Sequence, residues 1–266
     1  MPASLLHPVH LVGAGPGDPE LLTLKAVRVI REATVILVDD LVGEQVLESV
    51  LADAGPLPRV VKVGKRGGCA STPQAFIERL LVREALAGEK VVRLKGGDPL
   101  VFGRAGEEIA ALREAGLDVQ VVNGITSGLA AVNALGTGWT DRRCAQGVML
   151  VTGHAQPGHP GPDWEAIGAA AATGLTLVVY MGVGEAPRIV DRLLGRLPAG
   201  CPAAVVQHAS SARERCGLTT LAGLPALLAD GGFGSPAVLV IGQVLDASVL
   251  AQAEALVTSP QARAAG

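Results

Sequence analysis

Short apolar runs alternate with amphipathic stretches along most of the chain, the pattern of alternating strands and helices. In the first half, apolar runs predict strands over 9–13, 35–38, 60–63, 91–94 and 119–122. The stretch "LLTLKAVRVIREA" sets Leu24, Val27 and Ile30 three apart with charges opposite, which predicts a helix with that apolar face. "PQAFIERLLVREALAG" starts after Thr72-Pro73 and stops at Gly88, and "GEEIAALREAG" carries acids in its first turn and Gly116 after its last, both helical signals.

The second half repeats the alternation with different punctuation. Strands are predicted over 148–152, 175–181, 203–208, 217–221 and 237–241, and helices over 127–135, 163–171, 185–197 and 225–229. "GLTTLAG" directly after "HASSARER" reads as an antiparallel pair, so a mixed sheet is expected here. The expected organisation is α/β, with one α/β domain over 1–122, a second over 123–246 and a tail over 247–266.

Composition narrows the function classes. Apolar residues make up 49% of the 266, enough for a sizeable core. A net charge of -3 and an aromatic content of 2% argue against a nucleic-acid binder, which needs basic surface and stacking platforms. Cys69, Cys144, Cys201 and Cys216 stand far apart without CxxC spacing, the usage of reduced thiols in a cytoplasmic protein. His154 and His159 in "TGHAQPGH" have no accompanying cluster of ligands, so no metal site is expected. The amino-terminal stretch has no signal-peptide pattern, and the uncharged stretches over 119–140 and 166–184 carry too many polar and glycine positions for a spanning helix, so no membrane partner is expected.

The opening "HLVGAGPGDPE" resembles a nucleotide loop, and Asp39 falls near the position of a ribose-binding acid. Its glycine fingerprint fails at the sixth position, where Asp18 stands. Pro16 and Pro19 each lack the backbone donor that a phosphate cradle uses. A tight strand-to-helix turn with Asp18 as helix cap is the plainer reading. Three more small-residue turns end strands, in "LKGGDPLVFGR", "VVNGITS" and "VVYMGVG". Ligands of open α/β sheets sit beyond the carboxyl ends of strands. With no lysine-rich phosphate loop beside them, these turns suit an adenosine-type ligand without a phosphate chain, and Asp98 is a candidate acceptor there.

The segments "LVGAGPGDPELLTLKA", "VDDLV", "VGKRGG", "RLKGGDPLVFGRAGEE", "NGITS", "WTDRR" and "VTGH" occur in an order and spacing that resembles the uroporphyrinogen-III C-methyltransferases of the tetrapyrrole methylase superfamily. The resemblance spans roughly residues 9–245. It implies two α/β domains with S-adenosylmethionine in the cleft between them, usually in a homodimer. It also implies methylation of uroporphyrinogen III at carbons 2 and 7, giving precorrin-2 by way of precorrin-1 for sirohaem or cobalamin, with S-adenosylhomocysteine as by-product. The implied cofactor contacts are Pro16, Gly96, Gly97, Asp98, Val101, Thr126, Ser127, Met181 and Ala209. The implied proton acceptor is Asp39 and the proton donor Lys65.

A carboxylate at a strand end is chemically suited to that task, because the attacked pyrrole ring gains positive charge and must lose a proton. A substrate ringed with carboxylates needs cations, for which Lys65, Arg66, Arg104, Arg142 and Arg143 are candidates. The chain departs from the resembled pattern at Asn123 (usually Pro), Leu100 (usually Phe), Val38, Ala70, Asp141 (usually His) and Ala209 (usually Gly). Rival readings are another precorrin methylase, a diphthine synthase, an NAD-binding oxidoreductase and a non-catalytic binding module.

Overall fold

A computed structural model describes residues 6–64, 72–155 and 158–245. The chain divides into two compact units, Met1–Thr126 and Ser127–Gly266. Among the described residues no helix is long and apolar enough to cross a membrane.

The first unit is a five-stranded parallel sheet in the order β3-β2-β4-β1-β5, formed by β1 (Val9–Gly13), β2 (Val35–Val38), β3 (Arg59–Lys62), β4 (Val91–Lys95) and β5 (Val119–Val122). Helices α1 (Leu24–Glu32) and α2 (Glu44–Leu51) cover one face, and α3 (Gln74–Leu86) and α4 (Ala105–Glu114) the other. Alternation along the strands sorts the core accordingly. Ile36 and Val38 pack with Val92 and Leu94 under α1 and α2, while Val35, Leu37 and Val91 pack under α3 and α4. The chain leaves β1 through α1 on one face and leaves its neighbour β4 through α4 on the other. The carboxyl ends of β1 and β4 therefore form a switch point, where open sheets of this kind hold ligands.

One expectation about this unit is corrected, and one helix adds to those expected. Helix α1 buries Ala26, Val29 and Ile30, and Leu24 at its first position is 90% exposed. Its start is fixed by Thr23, whose side chain accepts the Ala26 amide, so the buried stripe begins two residues later, at Ala26, while Val27 and Ile30 of the expected face do pack on the core. Helix α2 was not foreseen. Its cap is Gly43, which offers no side-chain acceptor, and it buries only Val46 and Val50.

The second unit is a mixed sheet in the order β6-β7-β10-β8-β9, formed by β6 (Gly147–Thr152), β7 (Leu175–Tyr180), β8 (Pro202–Gln207), β9 (Arg215–Thr220) and β10 (Ala237–Ile241). The expected antiparallel pair is β8 with β9. Helices α6 (Trp164–Ala171), α7 (Ala186–Leu193) and α8 (Leu224–Asp230) share one core with the sheet. A 3-10 turn at Val183–Glu185 delays the start of helix α7 by one residue from the expected 185, and the helix ends at Leu193, short of the expected 197. Helix α5 (Ser127–Ala134) is held by a different contact, the Gly128 amide donating to the Tyr180 hydroxyl at 3.0 Å. β6 runs parallel to β7, and both β7 and β8 run antiparallel to β10. The carboxyl ends of β6, β7 and β8 therefore lie along one edge.

Candidate active site

The turns that end β1, β4 and β5 are packed backbone against backbone. A Cβ on Gly13 would stand 2.6 Å from both the Gly97 oxygen and the Gly124 nitrogen, and one on Gly124 would stand 2.3 Å from the Gly97 oxygen. Glycine at these positions is a packing requirement. The Ala14 amide donates to the Lys95 carbonyl at 2.8 Å, and Gly15 and Gly97 exchange two hydrogen bonds, at 3.2 and 2.7 Å. Two of the amides that a phosphate cradle would present, those of Ala14 and Gly15, are thus spent within the protein, against the nucleotide-loop reading. Asp18 accepts the Glu20 amide at 2.9 Å and caps a 3-10 turn at Pro19–Leu21, the helix-cap role expected for it.

Asp98 is buried, and its carboxylate accepts from Leu100 N (2.8 Å), Asn123 Nδ2 (3.0 Å) and Gly124 N (3.1 Å). It ties the β4 turn to the β5 turn, and its oxygens are engaged by the protein. Asn123, which departs from the resembled family's proline, contributes one of these three donors. Val101 follows in the same loop, its amide donating to the Asp98 carbonyl at 3.2 Å.

Asp39 follows directly on β2. Its Oδ1 accepts the Asp40 amide at 2.8 Å, and its Oδ2 lies 3.2 Å from Arg93 Nη2. Arg93 and Lys95 both point to the α3 and α4 face of β4, where each is almost fully buried. There they meet Glu108 of α4, which has no exposed surface. Arg93 Nε donates to it at 3.0 Å, and Lys95 Nζ at 3.0 and 3.2 Å. Burial pushes the Lys95 ammonium below the usual lysine range, the neighbouring Arg93 cation adds to the push, and Glu108 opposes it. Breaking such a buried set by removing one partner costs about 3–5 kcal/mol. Sequence reading passed over these three residues, treating Glu108 as a first-turn acid. The available signal was two cations at alternate positions of a strand buried on both faces, which must find a carboxylate.

Arg104 caps α4 in the left-handed region at φ 56° and forks onto Glu107 at 2.8 and 2.6 Å. Lys65 and Arg66 lie outside the described residues.

In the second unit, Met181 ends β7 at φ 54° and is 50% exposed. Ala209 ends β8 between His208 (φ 52°) and Ser210 (φ 59°), and is itself buried. With Phe102 and Arg104 these are the side-chain-bearing residues at positive φ among the described ones, and all five occupy loops that leave strand ends. Each left-handed conformation costs about 1–2 kcal/mol, and such strain clusters at functional sites. The Thr152-Gly153-His154 turn shares the edge with Met181 and Ala209, since it ends β6. Burial lowers the His208 pKa, with the Arg213 cation acting the same way. Arg142 is exposed. Arg143 forms a fork with Asp141 at 3.0 and 2.7 Å, and these bonds, with the Arg143 amide, hold the Asp141 carboxyl at about 2.

The sequence model of the tetrapyrrole (corrin/porphyrin) methylases matches residues 8–225. The chain belongs to this family. Over 240 residues this methylase is 51% identical to the uroporphyrinogen-III C-methyltransferase of Pseudomonas aeruginosa, covering 89% of the chain and 93% of that protein. It is 45% identical to the siroheme synthase of Chromobacterium violaceum over 90% of the chain, but spans 49% of that longer protein. Its fold matches the crystal structure of the uroporphyrin-III C-methyl transferase of Thermus thermophilus complexed with S-adenyl homocysteine. The TM-score is 0.74 and the identity 42%, over 90% of the chain and 98% of that structure. Both tetrapyrrole-methylase units, including the mixed second sheet, agree with the fold class expected from the sequence.

Proposed function

We propose that this methylase transfers methyl groups from S-adenosylmethionine to carbons 2 and 7 of uroporphyrinogen III, giving precorrin-2 by way of precorrin-1. The observation that carries the reading is the 51% identity to a uroporphyrinogen-III C-methyltransferase over nearly the whole of both chains. The strand-end geometry fits a ligand of this kind. The Ala14 and Gly15 amides of the β1 turn are already engaged, as suits a ligand without a phosphate chain.

S-adenosylmethionine, when bound, supplies a methyl already activated on a sulfonium, so the protein is left chiefly to align it. In the first unit Pro16, Gly96, Gly97, Val101 and Thr126 would hold it, with Asp98 acting through the turns it ties together. In the second unit Ser127, Met181 and Ala209 would do so. Asp39 stabilises the positive charge that develops on the methylated pyrrole and accepts the departing proton. Lys65 would donate a proton, and Arg66, Arg104 and Arg142 would hold substrate carboxylates. For Arg104 this means sharing its guanidinium with Glu107. The protein acts in the cytoplasm as a homodimer in this reading, which light scattering on the purified chain tests.

Incubation of the purified protein with S-adenosylmethionine and uroporphyrinogen III should give an oxidisable dimethylated macrocycle. Absence of methyl transfer to the macrocycle, beside an active control enzyme, overturns the proposal. A panel of later corrin precursors separates it from a precorrin methylase.

A further inference from the structure

Behind Asp39 lies a set of four charges among the described residues. Arg93 and Lys95 supply two cations, and Glu108 and Asp39 two carboxylates, so among the described residues the set balances only when Asp39 is counted. Its members come from three elements: the loop after β2, strand β4 and helix α4. Gln74 of α3 adds a contact to Glu108 Oε1 at 3.4 Å.

The geometry gives this set a direction. The Arg93 guanidinium is planar and rigid, and it is gripped from behind by Glu108 at Nε. Its Nη1 reaches the carbonyls of Leu37 and Leu94 at 3.4 Å, and its Nη2 presents to Asp39 Oδ2. The other Asp39 oxygen is held by the Asp40 amide. Asp39 is also the one member of the set with substantial side-chain exposure, 33% against 4% or less for the others. The second arm runs through Lys95, whose stem lies under the loop after β4. A Cβ at Gly103, between the strained Phe102 and Arg104, would stand 3.2 Å from Lys95 Cε. Well-packed apolar residues stabilise a core as well as a buried ion set does, so stability alone does not explain charges at this place.

We propose that Glu108 is a positioning residue: through Arg93 it fixes the pose of the Asp39 carboxylate, and through Lys95 it braces the loop that carries Phe102 to Arg104. The proposal rests on the reading of Asp39 as proton acceptor. Glu108 itself touches no substrate in this scheme. It keeps the acceptor aimed while the ring turns over, so its loss shows chiefly in turnover, with S-adenosylhomocysteine affinity kept.

The test uses the full chain with Arg93→Lys, Glu108→Asp and Asp39→Asn, and with each of the first two combined with Asp39→Asn. Methyl transfer to uroporphyrinogen III gives kcat and KM, and calorimetry gives the affinity for S-adenosylhomocysteine. Arg93→Lys and Glu108→Asp should each lower kcat about 10- to 100-fold, as misplacement of a reacting group does, with S-adenosylhomocysteine affinity unchanged; KM should hold in Arg93→Lys and rise in Glu108→Asp, which also loosens the loop that carries Arg104. Each double variant should be no slower than Asp39→Asn alone, because the two changes remove one function. Unchanged kcat in both single variants overturns the proposal, and so do losses that multiply in the doubles. Failure of both single variants to bind S-adenosylhomocysteine also overturns it, since the set then serves folding. Full activity in Asp39→Asn is a distinct result: it removes the reading of Asp39, whatever Arg93 and Glu108 do.

Discussion

The side-chain amide of Asn123 donates to Asp98 Oδ2 across 3.0 Å, joining the turn after β5 to the turn after β4. Asn123 is exposed, so Asn123→Ala should lower stability by only about 1 kcal/mol. Asp98→Ala strips the acceptor from three donors at once, the Leu100 and Gly124 amides among them, and should cost more. Urea denaturation should rank wild type above Asn123→Ala and Asn123→Ala above Asp98→Ala. Equal midpoints would show that the tie does not hold the turns.

Asp39→Ala should reduce methyl transfer by roughly 100-fold or more, the usual contribution of a general base. S-adenosylhomocysteine should still bind, because Asp39 is assigned to the ring proton. Full turnover in this variant removes Asp39 from the chemistry.

The crossing of the β1, β4 and β5 turns leaves no room for a methyl group. Gly124→Ala places a Cβ 2.3 Å from the Gly97 oxygen and 2.9 Å from Gly13 Cα. Both neighbours are backbone, so the turns must shift. We expect a loss of about 1–3 kcal/mol by thermal unfolding, typical of overpacking. Weaker S-adenosylhomocysteine binding should accompany it. A variant with wild-type binding would show that the turns do not shape the ligand site.

Met181 stands in the left-handed region and half exposed. Met181→Gly should relieve about 1 kcal/mol of strain and raise the unfolding temperature, while reducing S-adenosylhomocysteine affinity. A variant that gains stability without losing affinity would separate the strain from ligand binding.

Asp141 provides a pH test. The Arg143 side chain, and then its amide, lower the Asp141 carboxyl to about 2. A depressed carboxyl stabilises the fold fully above the ordinary aspartate range and loses that contribution as the pH falls through about 2. The carboxyl resonance of Asp141 should titrate near that value by NMR, and Arg143→Leu should move the midpoint upward. An ordinary midpoint in the wild type would show that the fork does not persist in solution.

The central strands were legible because a parallel sheet buried on both faces leaves near-continuous apolar runs; β1 and β2 fall on the predicted residues, as does the edge strand β5, in which only Val122 is buried. Glycine turns marked the strand ends. Helix α2 was hidden because Gly43 gives no capping signal and the helix buries two residues in eight. Leu24 misled because apolar spacing does not say where a cap begins the helix. Of the chemistry, the family motifs pointed to Asp39 directly. The residues that hold it are spread over positions 93, 95 and 108, and only the pairing of β2 with β4 and the docking of α4 bring them together. Asp98 was visible as a polar residue in a turn, but its three protein donors come from segments whose approach no local pattern encodes.

The exchange of hydrogen bonds between Gly15 and Gly97 is a single rung of antiparallel ladder set on the end of an all-parallel sheet. It works as a rivet. Two loops separated by some eighty residues along the chain are joined by it, so opening either one alone would break both hydrogen bonds. An insertion tolerated in most surface loops would here be transmitted across the joint, from the first turn of the protein to the turn that carries Asp98.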